Sequence, residues 1–403
     1  MMPLEYDPIR KGFIRPSSKD NLYDYFQSKG YFFSREILTR YFLSLKTKPF
    51  VILTGISGTG KTKIAQVFAE YMCQDEKKQE EKESRIAFVP VRPDWMDNKG
   101  LLGYYNILDE KYHVTPVLRL LLEAEAHPKK PYFVILDEMN LAKVEQYFSD
   151  FLSIMESRTP GNPKGEAIHL HTLDKPAQTR DGLNIPQRIH IPLNVYFTGT
   201  VNIDESTYMF SPKVLDRANV IEFNEVNLEN YEKRFTASDH FALKDPDVRQ
   251  HLLPADGDHP FCSRKDFLDA LKIDGGIRAY LDEVLEILHP FNLHFGYRVI
   301  NEISRYICCA IEAVDKFDIN TVMDIQILQK ILPKFHGAQA RMEEPLSRLL
   351  ASCCNDEYEC ALADDYLRKA ADYNENAPRA RSAQKLARMT LNLKSQGYTS
   401  FIE

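Results

Sequence analysis

The sequence predicts an α/β fold, a parallel sheet covered on both faces by helices, followed by an all-helical C-terminal part. Three observations predict it. Between about residues 49 and 230, short near-continuous apolar runs alternate with helical stretches, as strands buried on both faces do. One run leads straight into a glycine-rich loop, and another ends in two carboxylates. From about 231 onward these runs give way to apolar positions at helical spacing.

The 403 residues are 44% hydrophobic and 27% charged, a globular balance that argues against disorder, and the length predicts two or three domains. A net charge of −7 argues against a broadly basic, DNA-coating surface, while a local basic channel stays open. No apolar run approaches the roughly 18 residues of a membrane span. The start, Met1-Met2-Pro3-Leu4-Glu5-Tyr6-Asp7, lacks the basic-then-apolar signature of secretion. Seven cysteines are too sparse for a disulfide scaffold. The expectation is a cytoplasmic protein with no membrane contact.

In chain order, residues 1–48 form an aromatic, amphipathic segment. Leu22-Tyr23, Phe26, Tyr31-Phe32-Phe33 and Ile37-Leu38 suit one or two short helices packed on a neighbour. Five strands are expected at residues 50–53, 86–89, 132–136, 195–198 and 220–223. The mixed charge run 74–84 reads as a solvated loop or helix end. An insertion at 158–194 holds two alternating segments, 166–171 and 188–191, which read as a β-hairpin with a loose tip. Helices follow over 277–288, 299–313 and 323–332, then a charged helical tail. There is no internal repeat.

Gly55-Ile56-Ser57-Gly58-Thr59-Gly60-Lys61-Thr62 fits G-x-x-x-x-G-K-[ST]. It directly follows the run Val51-Ile52-Leu53 and precedes a helical pattern, the setting in which this motif binds phosphate. Glycines let backbone N–H groups face inward as an anion nest at the positive end of a helix. Lys61 would neutralise the β- and γ-phosphates, and the Thr62 hydroxyl would ligate Mg²⁺. A nucleoside triphosphate ligand is therefore expected.

The run 132–136 ends in Asp137-Glu138. Asp137 at a strand tip beside the loop can join the Mg²⁺ shell, and Glu138 can orient or deprotonate an attacking water. Asn140 reads equally as a group that orients the triphosphate or a neighbouring subunit, or as a turn residue. Asn202 ends the fourth strand, where its amide can reach the γ-phosphate or the water. Arg217, in Pro212-Lys213-Val214-Leu215-Asp216-Arg217, precedes the last strand. It reads as an arginine finger for a neighbour's nucleotide, against the alternatives of a surface cation or a partner of Asp216.

These residues, in this order, resemble an AAA+ NTPase, and more closely the McrB-like family within the MoxR and dynein-related, helix-2-insert clade. The resemblance covers roughly residues 45–400. Further support comes from Val91-Arg92-Pro93-Asp94-Trp95, Leu101-Leu102-Gly103-Tyr104-Tyr105, Leu136-Asp137-Glu138-Met139-Asn140 and Thr200-Val201-Asn202. The resemblance implies a P-loop module whose sheet has the order 5-1-4-3-2, with a helical lid. On that reading residues 1–48 are an N-terminal helical segment, 49–230 the nucleotide-binding subdomain and 231–403 the lid and C-terminal helices.

Within Phe295-Gly296-Tyr297-Arg298-Val299-Ile300-Asn301-Glu302-Ile303, which looks like the second-sensor helix, Arg298 is a candidate γ-phosphate contact; its alternative is an ordinary helix-start cation. Hairpins near 103–115 and 158–194 would line the pore of a hexamer, or else decorate its surface. The resemblance implies Mg²⁺-dependent hydrolysis of ATP or GTP by the motor of a McrBC-like antiphage restriction system. A separate nuclease would then act with it, and DNA would be contacted only indirectly or through the pore. The alternative is a MoxR-like ATPase that remodels client proteins. McrB proteins that use GTP carry M-N-T-A-D-R where this chain reads Val201-Asn202-Ile203-Asp204-Glu205-Ser206, which leaves the base open. The stretch before Gly55 is too short for the family's DNA-reading domain, so partners are expected.

Three patterns carry less. Asp94, Asp97 and Lys99 imitate a nuclease motif, but such sites place the second acid and lysine on a separate strand. Cys308-Cys309, Cys353-Cys354 and Cys360 lack C-x-x-C spacing and read as buried thiols. His169, His171 and His190 alternate on the predicted hairpin with no acid or cysteine among them to complete a zinc site.

Overall fold

The computed structural model describes residues 5–7, 12–14, 21–74, 84–159, 161–203, 208–224, 241–254, 261–354 and 379–402. Most of the 74–84 charge run, the Asp204-Glu205-Ser206 departure, the boundary near 230 and Cys360 lie outside them.

The fold is α/β around a five-stranded, all-parallel sheet. Its strands are β1 (Phe50–Gly55), β2 (Ile86–Pro90), β3 (Tyr132–Asp137), β4 (Val195–Asn202) and β5 (Asn219–Glu222). Numbered among themselves, with the small hairpin strands left aside, they lie edge to edge as β5-β1-β4-β3-β2. The two central neighbours, β1 and β4, are buried along almost their whole length, as near-continuous apolar runs require.

The alternation of side chains explains how both faces are covered. Thr198, Tyr196 and Phe133 point one way: the Tyr41 hydroxyl meets Thr198 Oγ1 at 2.7 Å, and Phe68 packs edge-on against Phe133. Phe197 and Phe50, register partners on β4 and β1, point the other way, onto Phe148 and Phe151. Tyr41 belongs to α2 (Arg35–Thr47), Phe68 to α3 (Lys61–Met72) and Phe151 to α5 (Ser149–Ser157). Between β2 and β3 runs α4 (Pro116–Ala126), and before β5 a single turn, α6 (Pro212–Leu215).

The N-terminal aromatic segment forms α1 (Leu22–Ser28) and α2, capped by the Asn21 and Ser34 side chains. They do not stand apart from the sheet, because α2 lies against it through Tyr41. The C-terminal helices are α7 (Arg264–Ile273), α8 (Gly276–Leu288), α9 (Tyr297–Ala313), α10 (Ile319–Gln326), α11 (Gln339–Cys354) and α12 (Ala380–Gln396). After α10 the chain widens into a π-helical segment, Ile327–Ile331. One sequence expectation fails here: strands do not vanish from the C-terminal part. His336–Ala338 pairs antiparallel with Tyr398–Ser400, closing the end of the chain against the middle of the helical region.

Both inserts form hairpins. Tyr104–Asn106 pairs with Lys111–His113. In the second insert Ile168–His169 pairs with Arg188–Ile189, and Ala177–Gln178 with Asn184–Ile185 further out. Arg180 donates to Asp109 at 3.0 Å and Tyr112 meets His171 edge-on, so the two hairpins rest on each other.

Candidate functional site

β1 ends at Gly55, and the next residues curl round before α3 begins at Lys61. Gly55 has φ +146°, and a Cβ there would sit 2.3 Å from the Phe223 carbonyl oxygen and 2.8 Å from Asn224 Oδ1. Only glycine lets β1 pass so close to the end of β5. Gly60, with φ +94°, turns the chain into the helix. The Ile56 amide donates to Asn224 Oδ1 at 3.1 Å. Lys61 is buried, and its ammonium donates to the carbonyls of Gly55 at 2.7 Å and Ile56 at 2.6 Å. The loop is thus wrapped around the lysine, with Ser57 and Gly58 exposed at its rim. The first turn of α3 carries no acidic residue, so its positive end is not neutralised locally.

The neighbouring strands bring their polar tips to the same place. Asp137 ends β3, and its Oδ1 accepts from Thr62 Oγ1 at 2.7 Å and Thr200 Oγ1 at 2.8 Å. Glu138 sits in the left-handed region, φ +53° and ψ +49°, uncommon for a residue with a side chain. Its amide donates to Thr200 Oγ1 at 3.0 Å, and its Oε1 accepts from Asn202 Nδ2 at 3.2 Å. Register explains the convergence, since Asn202 lies opposite Gly55 on one side of β4 and Gly199 opposite Leu136 on the other. Asn140 is buried; its amide donates to the Asn202 carbonyl at 3.4 Å, and its own carbonyl accepts from the Tyr208 amide. It orders the second turn behind the acids.

Arg217 and Arg298 lie elsewhere. Arg217 precedes β5, whose Asn219 is opposite Val51 and whose Glu222 is opposite Thr54. At roughly 3.3 Å per residue that puts it on the order of 20 Å from the start of the loop, at the far end of the strand. Its guanidinium donates to the Lys213 carbonyl at 2.6 Å and pairs with Glu156 of α5. Arg298, at the start of α9, pairs with the same Glu156 and with Asp216 at 3.4 Å. Burial and the nearby Arg298 lower the Arg217 pKa from its usual value. The two arginines form one cationic cluster on a shared carboxylate, and Arg298 stands beside Arg217 rather than at its own chain's loop.

A family model described as "Domain of unknown function" (DUF8727) matches residues 252–398, within the helical region that carries Arg298. That match does not reach the loop or the strand tips. No curated protein matches the chain.

Two contributors were not singled out from sequence. Thr200 lies two residues before Asn202 on the same face of β4, so period-two reasoning from Asn202 reaches it. Glu156 had no local signal, because it matters only through the cluster that the fold builds around it. Of the lesser patterns, Asp97 pairs with Lys99 at 2.9 Å on an exposed turn. Among the described residues no cluster of His, Cys, Asp and Glu could hold a metal by itself, and the His171 ring instead contacts the Ile185 carbonyl. Cys309 and Cys353 are buried, while Cys308 and Cys354 are partly exposed.

Proposed function

We propose that this chain binds a nucleoside triphosphate at the 55–62 loop and hydrolyses it, as an AAA+ module of the McrB-like type working in a ring. One observation carries the reading: Lys61, Thr62, Asp137, Glu138 and Asn202 meet at the C-terminal ends of three adjacent parallel strands. Open α/β sheets bind their ligands at that edge.

The Gly55, Ile56, Ser57, Gly58, Thr59 and Gly60 backbone cradles the phosphates, and Lys61 leaves its loop carbonyls to neutralise the β- and γ-phosphates. Thr62 and Asp137 supply a hydroxyl and a carboxylate, the hard oxygen donors that suit Mg²⁺, which would offset phosphate charge when bound. Mg²⁺ usually takes its remaining ligands from water and substrate, so a hydroxyl and a carboxylate are a fitting protein contribution. Glu138 accepts the proton of the attacking water, and Asn202 fixes the Glu138 carboxylate while polarising that water. Arg217, remote from its own loop, stabilises the transition state on a neighbouring subunit.

Ring assembly, a hexamer by the resemblance, would place nucleotide at subunit boundaries and couple hydrolysis to motion. The reading leaves ATP and GTP both open. A separate nuclease is the partner implied by the McrBC-like role. The exposed apolar tip Ile107-Leu108 favours a protein contact over direct grip on nucleic acid, and so also supports the MoxR-like alternative of a client protein. The reading is tested by equilibrium binding of fluorescent ATP and GTP analogues. Lys61→Ala should weaken binding by about tenfold or more; undiminished binding would remove the loop from the site.

A further inference from the structure

We propose that Lys330 is a positioning residue for Arg217, carrying the position of the helical lid into the turn that presents this arginine to a neighbouring subunit. The inference rests on the trans-acting reading of Arg217 given above. Lys330 lies in the π-helical segment after α10 and is essentially unexposed. Its ammonium donates to the Asp216 carbonyl at 2.8 Å and the Ala218 carbonyl at 2.9 Å, the carbonyls of the residues on either side of Arg217. It also pairs with Glu302 of α9, which pairs in turn with Lys48 beside β1. Two of the ammonium's three donors therefore go to backbone carbonyls, and the Glu302 carboxylate beside it balances its charge.

The rest of the turn is held from the same direction. The Asp216 carboxylate pairs with Lys334 and Arg298, both from the lid. The far end of β5 is gripped too: Lys385 of α12 donates to Glu222 at 2.6 Å, and Glu222 accepts from Asn224, whose other amide atom receives the Ile56 N–H. One four-residue strand therefore touches the 55–62 loop at one end and carries Arg217 at the other, with a buried lid lysine at each end. A shift of the lid pulls directly on the Arg217 backbone through Lys330. Burying a lysine whose hydrogen bonds go to two backbone carbonyls is costly, and π-helical segments concentrate at functional positions.

The test measures steady-state hydrolysis by full-length protein with whichever of ATP or GTP the wild type turns over. Lys330→Met should lower kcat by about tenfold or more while half-saturating nucleotide stays within about twofold. The double variant Lys330→Met/Glu302→Gln, which removes both buried charges, should give the same split if the single variant folds poorly. Mixing decides between positioning and general damage. Lys330→Met subunits keep an intact loop and Glu138→Gln subunits keep an intact Arg217, so an equimolar mixture should turn over several-fold faster than either alone. Arg217→Ala mixed with Glu138→Gln is the control. If the control does not recover, the trans reading of Arg217 falls. If the control recovers and the Lys330→Met mixture does not, or if Lys330→Met alone keeps wild-type kcat, the role of Lys330 is overturned.

Discussion

At the scale of single residues, the site depends on atoms that do not tolerate replacement. Gly55→Ala would force a Cβ to 2.3 Å from the Phe223 carbonyl at a φ reserved for glycine. The expected cost is about 1–3 kcal/mol of stability together with loss of nucleotide binding. A thermal melt checks the first and titration with nucleotide the second; an unchanged melt with full binding would contradict the close packing of β1 on β5. Thr200→Val keeps the shape but deletes the hydroxyl that joins Asp137 Oδ1 to the Glu138 amide. Losing the two hydrogen bonds of this hydroxyl costs about 1–3 kcal/mol, so kcat should fall about 10- to 100-fold with little change in nucleotide affinity. Turnover at the wild-type rate would show that Thr200 does not hold the acids. Lys61, Thr62, Asp137, Glu138 and Asn202 were all legible as chemistry because each sits at a strand tip or in a motif. Glu156 was not, since its meaning comes from two arginines that approach it only in three dimensions.

At the scale of elements, the strands were the most legible because burial on both faces demands a continuous apolar run. The five expected runs all appear: four begin at the expected residue and run on past the expected end, and the last is shifted by one residue. The pair His336–Ala338 and Tyr398–Ser400 was illegible for the opposite reason. Neither His336-Gly337-Ala338 nor Tyr398-Thr399-Ser400 alternates, and pairing arises only when the chain end returns to the helical region. The first hairpin insert makes its own prediction. Its tip residues Ile107 and Leu108 are 81% and 95% exposed, so they do nothing for the fold. Ile107→Ser/Leu108→Ser should leave stability within about 0.5 kcal/mol, as surface substitutions do. A larger drop in the melt would mean that the tip packs on its own chain instead of waiting for a partner.

At the scale of the whole molecule, the C-terminal helices and the sheet are joined by buried charge rather than by a continuous apolar seam alone. Burial opposes ionisation of Glu302, but Lys330 and Lys48 outweigh it and hold the carboxyl at about 2, below its ordinary 4.5. Burial pulls the Lys330 ammonium the other way, down from its usual value, so the pair as a whole is no large net gain. The pH dependence is nevertheless definite. A carboxyl depressed in the folded state contributes stability above its unfolded pKa and loses it as pH falls through the folded one. Between about pH 4.5 and 2 roughly 3 kcal/mol should disappear, and Glu302→Gln should flatten that part of the acid denaturation curve. An unchanged acid limb in the variant would contradict the pairing. These contacts were the least legible feature of all, because Lys48, Glu302 and Lys330 are far apart in sequence and look like solvated charges there. The central reading, a site that hydrolyses nucleoside triphosphate, is tested most directly by Mg²⁺-dependent phosphate release from ATP and GTP by Glu138→Gln beside the wild type. Release by the wild type, with retained nucleotide binding but a loss of about 100-fold or more in the variant, is the predicted result; undiminished release by Glu138→Gln would contradict it.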